Sequence, residues 1–86
     1  SLSIEGHTDA VPFAGKNGYS NWELSSQRAL AFRRRLIKLG VAEEKIVRVV
    51  GKASTEPYLK NDPQAPQNRR ISVLLPSLVT DEKDDD

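Results

Sequence analysis

The stretch from Tyr19 to Val41 carries a helix with both of its ends marked. Ser20 and Glu23 have the S-x-x-E spacing of a capping box, in which each side chain answers an N–H otherwise unpartnered in the first turn. Tyr19 before the cap and Leu24 four residues after it suit a hydrophobic staple. At the far end Gly40 can take the left-handed position that follows a helix, with Val41 folding back onto Leu36 as in a Schellman motif. Between these marks Ala29, Phe32, Leu36 and Leu39 recur at 3-4-3 spacing, and Trp22 and Ser25 extend the stripe backwards. The pattern predicts a helix over 21–39, about 28 Å long at 1.5 Å per residue. A helix with one apolar stripe needs a second layer to cover it, and 86 residues leave room for one small domain.

The flanking segments supply that layer as strands. Leu2, Ile4 and Gly6 alternate with Ser3, Glu5 and His7, the period of a strand with one buried face. Ile46 to Val50 is rich in β-branched residues and stops near Gly51. Arg70 to Leu75 makes a third run, closed by Pro76. Between the first strand and the helix, Pro12, Gly15, Asn17 and Gly18 mark a loop of about ten residues, long enough for a binding loop. Residues 54–68, with Pro57, Asn61, Asp62, Pro63, Pro66 and Asn68, form a second long loop with room for one short helical turn. Strand, helix, strand, long loop, strand is an α/β class, an α+β sandwich of helix on sheet. One helix covers one face of three strands, and a preceding strand and helix would complete the arrangement. The absence of Met and the start inside an alternating run agree with a piece of a longer chain.

Composition removes several kinds of chemistry. Without Cys there is no disulfide framework, no thiol nucleophile and no Cys-based zinc site. No apolar run approaches the roughly 20 residues of a membrane span. The net charge of +1 hides an asymmetry, since residues 81–86 hold five acids and one base. That leaves twelve bases and seven acids in residues 1–80, a body of +5 suited to an acidic partner. The acidic end cannot bury a core, so the ordered domain is expected to end near residue 78, with 79–86 a disordered tail.

Two opposite charges frame the most suggestive constellation. Asp9 leaves the first strand close to the positive end of the helix dipole, and Arg28 lies two turns into the helix beside Leu24 and Phe32. Such a pair either closes on itself or holds a zwitterion, with the carboxylate taking an ammonium and the guanidinium gripping a carboxylate in a two-pronged fork. His7 and Asp9 point the same way in an extended strand, but no Cys and no Gly-x-Ser-x-Gly elbow accompanies them, and no second His completes a metal site. Arg33, Arg34 and Arg35 lie in the last turns of the helix, where cations favour the dipole, and their aromatic neighbours Trp22 and Phe32 fall on the apolar face, unlike a nucleic-acid binder. Arg69 and Arg70 open a strand and so face opposite sides.

The run Gly6-His7-Thr8-Asp9, then Asn21-x-x-Leu24-Ser25-x-x-Arg28-Ala29-x-x-Phe32-x-x-x-Leu36, then Gly40-Val41, Gly51 and Asn68-Arg69-Arg70 resembles the OmpA-like peptidoglycan-binding domain, from about residue 2 to 76. Phe32 stands where that family has a smaller aliphatic residue. Tyr19 to Ser25, Val49-Val50-Gly51, Asp62-Pro63 and Asn68 to Ser72 are further similar to the wall-anchoring stator subunits of the bacterial flagellar motor within it. The resemblance implies a βαβ(α)β fold with a mixed sheet, lacking here the strand and helix that open it. It implies a non-catalytic domain that grips the diaminopimelate of the peptidoglycan stem between Asp9 and Arg28, with Thr8, Asn21 and Leu24 lining the site and Asn68 with Arg69 as further contacts. It also implies neither cofactor nor metal, a periplasmic location in a single-pass inner-membrane protein, a MotA-type stator channel subunit as partner and a homodimer, with no nucleic acid. The same domain also serves as the envelope tether of outer-membrane lipoproteins and porins.

Overall fold

The computed structural model describes residues 1–13, 15 and 17–75; Pro76, expected to close the third strand, and residues 79–86, expected to form a tail, lie outside the described residues. Strand β1 spans Leu2–His7, helix α1 Asn21–Lys38, strand β2 Ile46–Gly51 and strand β3 Arg70–Leu74. Short 3₁₀ turns occupy Glu43–Lys45 and Pro66–Asn68, the second being the helical turn expected in the long loop. The sheet has the order β2-β1-β3, with β1 parallel to β2 and antiparallel to β3. The parallel pair is joined through α1, as a crossover requires, and the return to the other edge of β1 runs through the long loop. The pairing of β1 with β2 skips Val47, which is left exposed.

The helix ends form as their residues direct. The Ser20 Oγ accepts from the Trp22 backbone N–H, and the Glu23 carboxylate accepts from the Ser20 N–H at 2.7 Å, completing the capping box. At the C-terminus the Val41 N–H donates to the Leu36 carbonyl and the Gly40 N–H to that of Ile37, the paired bonds of a Schellman motif, with Gly40 at φ +109°. Leu39 is the cap residue and not part of the helix.

The helix lies on the sheet through its smallest residues. Gly6 and Gly51 are partners in the sheet, and a Cβ at either would collide with Ser25 or Ser26. Two adjacent glycines thus let the first half of α1 approach the strands closely. Ala29, beside Gly6, and Ile4, two residues before Gly6 on the same strand face, are fully buried. Two residues expected in the apolar stripe are not covered: Trp22 is 51% exposed and Leu39 74%. The reason is a mismatch of length. Eighteen helical residues span about 27 Å, six strand residues about 20 Å, so both helix ends overhang the sheet.

Candidate functional site

The site begins at the C-terminal end of β1. The Thr8 N–H donates to the Ala53 carbonyl and the Ala10 N–H to the Pro63 carbonyl, each at 2.8 Å, so the segment after β1 is pinned to the start and the middle of the β2–β3 connection. Ala53 takes a left-handed conformation, φ +51°, costly for a residue with a Cβ. It is held there by Thr8 and by the fully buried Ser25, whose Oγ accepts from the Ala53 N–H at 3.0 Å and donates to the Trp22 carbonyl. Ser25 thus ties helix to strand exit, a role the expected apolar stripe does not disclose.

Asp9 is 13% exposed at its side chain, and its two carboxylate oxygens have different duties. Oδ1 accepts from the Val11 N–H at 3.1 Å and shapes the turn. Oδ2 faces Arg69, whose Nε stands 3.8 Å away. Asn21, the first residue of α1, donates its amide to the Asp9 and Val11 carbonyls and fixes the loop to the helix start. Phe13 and Tyr19 meet edge-on, with centroids 5.6 Å apart, and brace the far side of the loop.

These elements enclose a cleft of about 320 Å³ lined by Thr8, Asp9, Asn21, Leu24, Arg28 and Arg69, with Val11, Pro12 and Phe13 along the loop wall. Asp9 and Arg28 share this cleft without being an ion pair; among the described residues the acid's charged neighbour is Arg69. The Thr8 hydroxyl borders the cleft but donates to the Asp9 carbonyl, so it shapes the wall. Asn68 corrects the sequence expectation of a ligand contact. It is fully buried, its Oδ1 accepting from the Leu59 N–H at 2.7 Å and its Nδ2 donating to the Asp62 and Pro63 carbonyls. Its amide is spent holding the loop that delivers Arg69.

Arg70 holds its guanidinium 5.9 Å over the Tyr58 ring, and with His7 it also lines a second cleft shared with Arg28 and Arg69. There it meets His7, 2% exposed, whose Nε2 is 3.3 Å from Glu5. Burial and then the Arg70 charge push the His7 imidazole below its usual range, against the opposing pull of Glu5. His7 therefore works with Glu5 and not with Asp9. Donor atoms of Glu5, His7 and Glu56 lie within 4.8 Å of one another, a grouping that a single His in the sequence does not foretell. Lys52 already pairs with Glu56 at 3.1 Å and Arg70 bears on the same spot, so charge there is balanced within the protein. Among the described residues no helix is long and apolar enough to cross a membrane.

The family model described as the OmpA family matches residues 1–70. Motility protein B of Escherichia coli K12 is 49% identical over 75 residues, 86% of this chain and 24% of that protein. Motility protein B of Bacillus subtilis 168 is 32% identical over 77 residues, 87% of this chain and 30% of that protein. The chain thus spans less than a third of the length of either relative. Among solved structures, the OmpA-like domain of FopA1 from Francisella tularensis aligns with a TM-score of 0.68 at 25% identity, over 86% of this chain and 48% of that one. A MotB-like protein from Desulfovibrio vulgaris gives the same TM-score and identity over 84% of this chain and 46% of that one.

Proposed function

Because the chain belongs to the OmpA family, we propose that its cleft holds the peptide stem of peptidoglycan and that it serves as the wall anchor of a flagellar-motor stator. One observation carries the reading: Asp9 and Arg28 line a single open cleft and are not paired with each other. The side-chain end of diaminopimelate presents an ammonium and a carboxylate together. Asp9 Oδ2 takes the ammonium and Arg28 the carboxylate, while Leu24 and Phe13 offer apolar walls to the methylenes between. No bond is made or broken, so the domain is a binder. In this reading residues 1–78 are the wall-binding unit and 79–86 an acidic tail, in the periplasmic part of an inner-membrane protein. The 49% identity to Motility protein B supports the motor role over an outer-membrane tether.

The energetics suit an anchor that works in numbers. Each charge-assisted contact contributes about 1.5–3 kcal/mol, and much of the sum is lost to the entropy of association. One stem peptide is held weakly; several copies on one polymer hold firmly through avidity, which supports a dimer beside a MotA-type channel subunit. Sedimentation with purified cell wall tests the site. Asp9→Ala and Arg28→Ala should each leave the pellet while circular dichroism stays native, and retention of both variants in the pellet refutes the reading.

A further inference from the structure

The basic wall of the site continues beyond Arg28. Arg28 and Arg69 also border a second cleft of about 350 Å³, floored by Ala31, Phe32 and Ile71 and reaching Arg35. Arg35 follows Arg28 by seven residues, two turns along the same helix face, so their stems stand about 10 Å apart along the axis. Among the described residues neither Arg28 nor Arg35 has a carboxylate within ion-pair distance; Glu43 pairs with Arg33, and Arg69 reaches Asp9 alone. Guanidinium groups ranged round an apolar floor raise the local potential, and an entering anion relieves it. Their forked donors suit a carboxylate, and the apolar floor suits a short hydrocarbon spacer between two charged ends.

Resting on the wall-binding reading above, we infer that this cleft is a second anion subsite for the same peptide. Arg35 receives a carboxylate about 10 Å from the one held at Arg28, and the chain selects stem peptides carrying both carboxylates free. A peptide whose second carboxylate is amidated fills the first subsite and leaves the second without a partner.

Calorimetric titration of the full chain with two synthetic stem peptides, identical except for amidation of that second carboxylate, tests the subsite. The diacid should bind about tenfold tighter, the ratio given by one charge-assisted contact at the low end of its range. Arg35→Gln should bring the ratio close to one, and Arg34→Gln, outside this cleft, should leave it intact. Equal affinities in the parent chain, or a ratio that survives Arg35→Gln, overturn the subsite even where Arg28→Ala abolishes binding of both peptides. Binding of both that survives Asp9→Ala and Arg28→Ala refutes the wall-binding reading itself, and failure of both peptides to bind the parent refutes the two together.

Discussion

Gly6→Ala probes how closely α1 must lie on β1. An added Cβ would fall well inside van der Waals contact with the Ser25 carbonyl oxygen, 3.1 Å from its carbon and 3.4 Å from the Ala29 Cβ. The obstacle is helix backbone, which cannot swing aside as a side chain does, so strand and helix must part. Overpacking costs about 1–3 kcal/mol, and a rigid obstacle on the central strand puts this case at the upper end. Replacing Gly by Ala offsets about 0.5–1 kcal/mol through the lower entropy of the unfolded chain. The net is a loss of about 2 kcal/mol, which in a chain of this size lowers Tm by about 8–16 °C. The site feels the same displacement. Arg28 sits one turn beyond Ser25, and Asp9 leaves the same strand three residues after Gly6. Thermal and urea unfolding followed by far-UV circular dichroism read the stability, and wall sedimentation well below the transition reads the site. A Tm within about 2 °C of the parent, with an unchanged urea slope and full wall retention, would refute the close-approach argument.

Asn68→Ala leaves the Leu59 N–H and the Asp62 and Pro63 carbonyls without their partner. It should cost about 3 kcal/mol in urea unfolding, more than Arg69→Ala, although Arg69 is the one bordering the cleft. His7 makes stability depend on pH. Its imidazole is held below the ordinary 6.5 in the folded state, so the unfolded chain binds the proton first; its contribution is complete above pH 6.5 and declines as the pH falls towards the folded value. Urea midpoints should drop on acidification from neutrality, and His7→Gln should flatten that drop. Trp22→Ala, at a half-exposed overhanging position, should cost about 1 kcal/mol rather than the 3–5 kcal/mol of a core aromatic; a core-sized loss in thermal unfolding would contradict the overhang.

The contrast between Ser20 and Trp22 shows where legibility stops. Ser20, Glu23, Gly40 and Val41 act over three to five residues of chain, so their capping bonds form wherever that helix forms, and both caps are present as their spacing predicts. Trp22 and Leu39 obey the same helical period but are bare, because burial depends on how far the strands beneath extend. The site divides in the same way. Asp9 and Arg28 reach one cleft because a strand exit and a helix two turns deep are adjacent in any crossover of this kind. That Arg69 and not Arg28 stands beside the acid depends on a loop whose course Asn68 fixes from inside.

The residues alone determined the elements: a capped helix, three strands, two loops, and an acid at a strand exit with a base two turns into the helix. Those are short-range properties, settled by hydrogen bonds and alternation within a few positions of chain. Tertiary structure alone decided the order β2-β1-β3, the meeting of Gly6 and Gly51 beneath Ser25 and Ser26, the pairing of His7 with Glu5, and the arginines that continue the basic wall. These depend on which distant segments share a sheet edge, a choice made by packing over the whole domain and carried by no single local pattern.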